Sequence, residues 1–252
     1  MTVGTLYAEL EKRIPRALSC EWDNDGLMCC ADAESEVRRV LVALDVTGDT
    51  VRRAIDGWYD LIVSHHPMIF RPLRALEPGN YVAARATELV RAGVSVMSFH
   101  TRLDAVAGGV NDTLAGLLGL RDAAPFGDGI GRVGTLDSAH TLCEFVELVK
   151  SVTGAPAVLC GDAGLPVRRV ALLGGSGSDD VPAALAAGAD TYLTGELAYH
   201  HLCDAREMGL NLLAAGHFHT ENPVCRTLAG MLTEIDPALT VDLYDSNRTT
   251  LI

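Results

Sequence analysis

"VRRVLVALDVT", residues 37 to 47, returns 130 residues later as "VRRVALLGGSG", residues 167 to 177. The same offset lays "YDLIVSHH" (59 to 66) on "ADTYLTGE" (189 to 196), so Asp60 aligns with Asp190 and His66 with Glu196. Further on the offset shortens. "FHTRLD" (99 to 104) then matches "GHFHTE" (216 to 221), aligning His100 with His217 and Asp104 with Glu221, and "TLAGLL" (113 to 118) matches "TLAGML" (227 to 232). A long period of this kind marks a duplicated supersecondary unit.

Within each copy, short apolar runs alternate with helical periodicity. The first copy predicts strands at 26–30, 40–44, 61–63 and 94–99, with helices at 6–14, 49–56, 82–92 and 110–118. The second predicts strands at 157–160, 170–173, 191–193 and 210–214, with helices at 142–152, 181–187, 200–208 and 223–232. This alternation implies an α/β fold with mostly parallel sheets covered on both faces. The expectation is two similar three-layer lobes, 1–126 and 127–252, the second able to intertwine with the first. Their boundary is placed in the Gly-rich "PFGDGIGRVG", 125 to 134.

Composition narrows the function. With 20 Lys+Arg against 33 Asp+Glu, the formal charge of -13 disfavours nucleic acid and anionic membrane as partners. Charged residues at Glu9, Glu11, Lys12 and Arg13 interrupt any signal-peptide core, and no run is long enough for a membrane span. The seven cysteines are scattered, without a C-x-x-C pair, which fits a reduced, cytoplasmic protein. "GGSGSD" (174 to 179) follows a strand but lacks the Lys of a Walker loop, and reads as a tight turn.

Ligands of open α/β sheets collect beyond the carboxyl ends of strands. His65-His66, His100 with Asp104, Glu196, and His217 with Glu221 all fall there, so the metal site is expected between the lobes. Imidazole with carboxylate suits Zn, Mn, Fe, Ni or Co. Side chains of neighbouring strand residues diverge, so His65 and His66 are expected to serve two ions, with Glu221 or Asp104 as the bridging carboxylate. An HxxxE pair alone would as readily cap a helix. Three such clusters at equivalent strand ends, holding His65, His66, His100, His217 and His219, favour a site.

"WDNDGL" (22 to 27), "VSHHP" (63 to 67), "HTRLDAVAGGVNDTLA" (100 to 115), "TGELAYHH" (194 to 201) and "GHFHTE" resemble the motifs of the NGG1-interacting-factor-three-like family. These are also described as dinuclear metal centre hexameric proteins and as type 2 GTP cyclohydrolase I homologues. The resemblance spans nearly the whole chain. It implies a homo-hexamer of two-lobed subunits, each with two divalent metal ions held by His65, His66, Asp104, His217 and Glu221. His100, Glu196 and His219 are then lining residues, and Arg102 stands where family members more often carry Asn.

The function expected is a dinuclear metal-dependent hydrolase acting on a small metabolite or nucleotide, with Glu196 or His100 moving the proton. The alternative is a non-catalytic metal-binding regulatory scaffold acting through protein partners. Asp23 and Asn24 are expected to bond backbone in a turn before a strand, with Gly26 permitting the conformation.

Overall fold

The computed structural model describes residues 1–77 and 79–250. The chain packs as two units: Met1–Val106 with Cys225–Thr250, and Ala107–Val224.

The first unit runs α1 (Val3–Arg13), β1 (Gly26–Cys29), β2 (Arg39–Ala43), α2 (Gly48–Asp56), β3 (Leu61–Ser64), α3 (Tyr81–Ala92), β4 (Ser95–Ser98) and the short α4 (Thr101–Ala105). The second holds α5 (Val110–Leu117), β5 (Arg121–Phe126), β6 (Gly131–His140), α6 (Leu142–Thr153), β7 (Leu159–Gly161), β8 (Val167–Ser176), α7 (Val181–Ala186), β9 (Thr191–Glu196), α8 (Tyr199–Met208), β10 (Asn211–Ala214) and the short α9 (His217–Glu221). The chain then returns to the first unit with α10 (Val224–Ile235) and β11 (Thr240–Tyr244).

The sheets carry the duplication. One is ordered β1-β4-β3-β2-β11 and the other β7-β10-β9-β8-β6-β5. In each, an antiparallel edge strand leads into three parallel strands, β4-β3-β2 or β10-β9-β8. Asp60 Oδ2 accepts the backbone N–H groups of Arg38 and Arg39, both at 2.8 Å, and Asp190 does the same for Arg168 and Arg169. The far edges differ: β11 adds in parallel to β2, whereas β6 adds antiparallel to β8.

β3 is buried at every residue, and Leu61, Ile62 and Val63 are apolar in succession rather than alternating, as a central parallel strand should be. Ile62 and its neighbours Leu41, Val51, Leu89 and Val96 are fully enclosed, each Leu or Ile contributing roughly 1.5 to 3 kcal/mol. Capping boxes start α1 at Thr2/Thr5, α2 at Thr47/Thr50 and α6 at Thr141/Glu144.

Strands β5 and β6 and the short helices α4 and α9 are additions to the expected elements, and three further features depart from the sequence reading. The cut expected at 126/127 falls inside a β5-β6 hairpin of the second unit, because the glycines of "PFGDGIGRVG" make its turn, with Gly127 and Gly129 at positive φ. The closing helix of the first copy, α5, belongs to the second unit, where Leu114, Ala115 and Leu118 join Phe145, Val167 and Val170. Strand β11 has no counterpart among the expected elements, since Thr240–Tyr244 is too short and too exposed to show a period.

Candidate metal centre

In the first unit, the backbone past β3 and β4 sets the histidines. Phe99 N–H donates to Ser64 O and His66 N–H to Leu44 O, each at 2.9 Å, so inter-strand bonding runs on beyond the strand ends. Ser64 Oγ, 2.8 Å from Ser98 Oγ, donates to the His66 carbonyl at 2.9 Å. His65 and His66 lie in a bend, not in the strand, so the divergence expected of strand neighbours does not hold. Their ring centroids are 4.8 Å apart, and those of His65 and His66 lie 5.3 and 5.7 Å from that of His100. One ring nitrogen from each of the three lies within 4.8 Å of the others.

Each ring is turned by its Nδ1. His65 Nδ1 faces Phe99 O at 3.0 Å, His66 Nδ1 faces Asp45 Oδ1 at 2.7 Å, and His100 Nδ1 faces Asp23 Oδ1 at 2.9 Å. A carbonyl and a carboxylate can only accept, so each Nδ1 donates, and in the neutral ring the lone pair then sits on Nε2. Asp104, on α4, brings Oδ1 to 3.6 Å from His65 Nε2. Burial raises the Asp23 carboxyl, but hydrogen bonds from His100 and from the Thr101 hydroxyl and N–H outweigh it and pull it down to about 2.

The second unit repeats the device. His217 Nδ1 faces Glu196 Oε1 and its Nε2 faces Glu221 Oε2, both at 3.1 Å. Gly175, at φ +73°, makes room: a Cβ there would run into the Glu221 carboxylate and lie 3.1 Å from His217 Nε2. The "GGSG" stretch is not the tight turn expected of it: Gly174–Ser176 belong to β8, where the register shifts, and Gly175 clears space for a candidate ligand side chain.

The donor sets fit divalent transition metals: imidazole Nε2 atoms, each ring oriented by an oxygen on its Nδ1, beside buried or half-buried carboxylates. His219 packs on Phe218 at 5.5 Å and joins no candidate ligand group among the described residues. Glu196 reaches the site only through His217. Asp45 was absent from the sequence reading, and Asp23 does more than hold a turn. Its spacing to His100 carries no local signal, because β1 and β4 bring them together from 77 residues apart.

Arg102 points away from the imidazoles. It is fully buried, with Nε 3.0 Å from Asp25 Oδ2, Nη1 on Glu11 and on the Ile14 carbonyl, and its guanidinium over the Phe99 ring at 4.6 Å.

A family model described as Duf34/NIF3 (NGG1p interacting factor 3) matches residues 1–250. A Clostridium perfringens protein named GTP cyclohydrolase 1 type 2 homolog is 35% identical, with 89% of this chain and 88% of the relative covered. A Lactococcus lactis protein of the same name is 36% identical, with 99% and 98% covered. The crystal structure of Staphylococcus aureus protein SA1388 is 25% identical, with TM-score 0.89 over 100% of this chain and 99% of that one.

Proposed function

The chain belongs to the Duf34/NIF3 family, and from that premise we propose that it is a metal-dependent hydrolase acting on a small metabolite or nucleotide. The observation that carries this reading is the shared orientation of His65, His66, His100 and His217, each with Nδ1 on an oxygen acceptor. Structural core histidines need no such common polarity; metal ligands do.

The finer reading follows the family resemblance: two divalent ions per subunit, which His65, His66, Asp104, His217 and Glu221 would hold. Bound divalent ions supply Lewis acidity and lower the pKa of water. Around them, Asp45 keeps the His66 proton on Nδ1, and Glu196 does so for His217. His100, with Nδ1 tied to Asp23, offers Nε2 as the atom that takes or gives a proton. Assembly as a homo-hexamer belongs to the same reading. The nucleotide substrate is supported by the names of the Clostridium and Lactococcus relatives.

The test is hydrolysis of GTP and of a panel of esters, amides and phosphate esters by metal-loaded protein. Turnover lost in Asp104→Asn and Glu221→Gln variants that remain folded and assembled supports the reading. A wild-type protein that leaves the whole panel untouched ends it.

A further inference from the structure

We propose that a groove in the first unit, beside His66, binds a small phosphorylated metabolite carrying a flat ring. The proposal rests on the hydrolase reading for the chemistry at His66, and on the groove itself for what is bound. Its volume, about 770 Å³, lies within the roughly 300 to 1,000 Å³ of small-molecule sites.

The groove is lined by Asp45, His66, Phe70 and Arg71, and by Tyr81 and Arg85 at the start of α3. Arg85 is fixed: its guanidinium lies over the Tyr81 ring at 5.0 Å, and Nη1 donates to Val46 O at 3.1 Å. Arg71 is exposed on the same wall. Two acidic groups face these cations, Asp45, which pairs with His66, and Glu77. Asp45 is turned to His66 and Ser246, so the Arg71 and Arg85 guanidiniums are left to meet an anion beside Glu77, and the planar fork of arginine matches phosphate oxygens.

The ring follows from the aromatic wall. Phe70 and Tyr81 leave 45% and 70% of their surfaces to solvent, area that a flat ligand would cover. Phe70 lies edge-on to Trp22 and to His100, 6.1 Å from each. A ring stacked on Phe70 is therefore delivered beside the imidazole cluster. Neither guanidinium belongs to the candidate ligand groups, so the groove can be perturbed without touching them.

Equilibrium dialysis of the full-length protein with GMP, guanosine and ribose 5-phosphate tests this, with metal content measured on the same samples. GMP should bind, and each fragment about tenfold more weakly. Arg71→Ala should weaken GMP by about tenfold and leave guanosine unchanged. Tyr81→Ala should weaken GMP and guanosine about tenfold and ribose 5-phosphate by less, because Arg85 loses the Tyr81 ring but keeps its bond to Val46 O, with metal content constant in both variants. GMP that does not bind, binds no tighter than its fragments, or ignores both substitutions overturns the proposal. Ring-and-phosphate binding by protein that holds no metal would leave the groove standing and remove the hydrolase reading. A metal-loaded hydrolase whose GMP binding ignores Arg71 and Tyr81 would do the reverse.

Discussion

His66 Nδ1 lies 2.7 Å from Asp45 Oδ1, and Asp45 is itself held from the far end of the chain: Ser246 Oγ donates to Asp45 Oδ2 at 3.2 Å and accepts the Asp45 N–H at 3.1 Å. The C-terminal segment thus sets the tautomer and aim of a candidate metal ligand through one carboxylate.

Replacing that carboxylate should loosen the metal without unfolding the protein. Asp45→Ala is expected to lower metal affinity by about 10- to 100-fold, read by competition with a chelator, while the melting temperature of chelator-treated protein shifts by only a few degrees. Ser246→Ala should act in the same direction and more weakly.

Gly175→Ala tests the cleared space in the second unit. The left-handed backbone at +73° alone costs a Cβ about 1 to 2 kcal/mol, and the methyl displaces the Glu221 carboxylate. Urea denaturation should report the stability loss, and metal content should fall alongside it.

Arg102 makes a structural prediction. Asp25 is 3% exposed and faces the Arg102 guanidinium. Arg102→Met removes one of two guanidiniums from Asp25, leaving Arg16 Nη1 at 3.2 Å, and should cost about 1.5 to 3 kcal/mol, whereas metal content per folded chain stays constant because Arg102 meets Asp25, Glu11 and Ile14 rather than the imidazoles.

The same cluster predicts an acid limb. Burial raises Glu11, but hydrogen bonds with Tyr7 and Arg102 and the Arg102 charge outweigh it and hold the carboxyl below its ordinary 4.5. A depressed folded value means that its contribution is complete above pH 4.5 and is lost as pH falls through the folded pKa. Urea titrations from pH 6 to pH 3 should show this slope in the wild type and a shallower one in Glu11→Gln.

Much of this was legible in the sequence because the duplication was. Asp60 and Asp190, paired by a fixed offset, make the same backbone bonds, and the strand-end histidines follow from the ends of β3, β4 and β10. What escaped is long-range. Asp23 meets His100 across an antiparallel edge, Asp45 meets His66 from the next strand, and Ser246 reaches Asp45 from 201 residues away. No local period records such pairings. Gly175 escaped for another reason, since a glycine is needed there by a neighbouring side chain rather than by its own turn.

The most direct test is metal content per chain on protein purified without a histidine tag, with His66→Ala and Glu221→Ala beside it. The account predicts about two transition-metal ions in the wild type and clear loss in each variant that remains folded. Less than about half an ion per chain after reconstitution, or variants that keep the wild-type content, would contradict it.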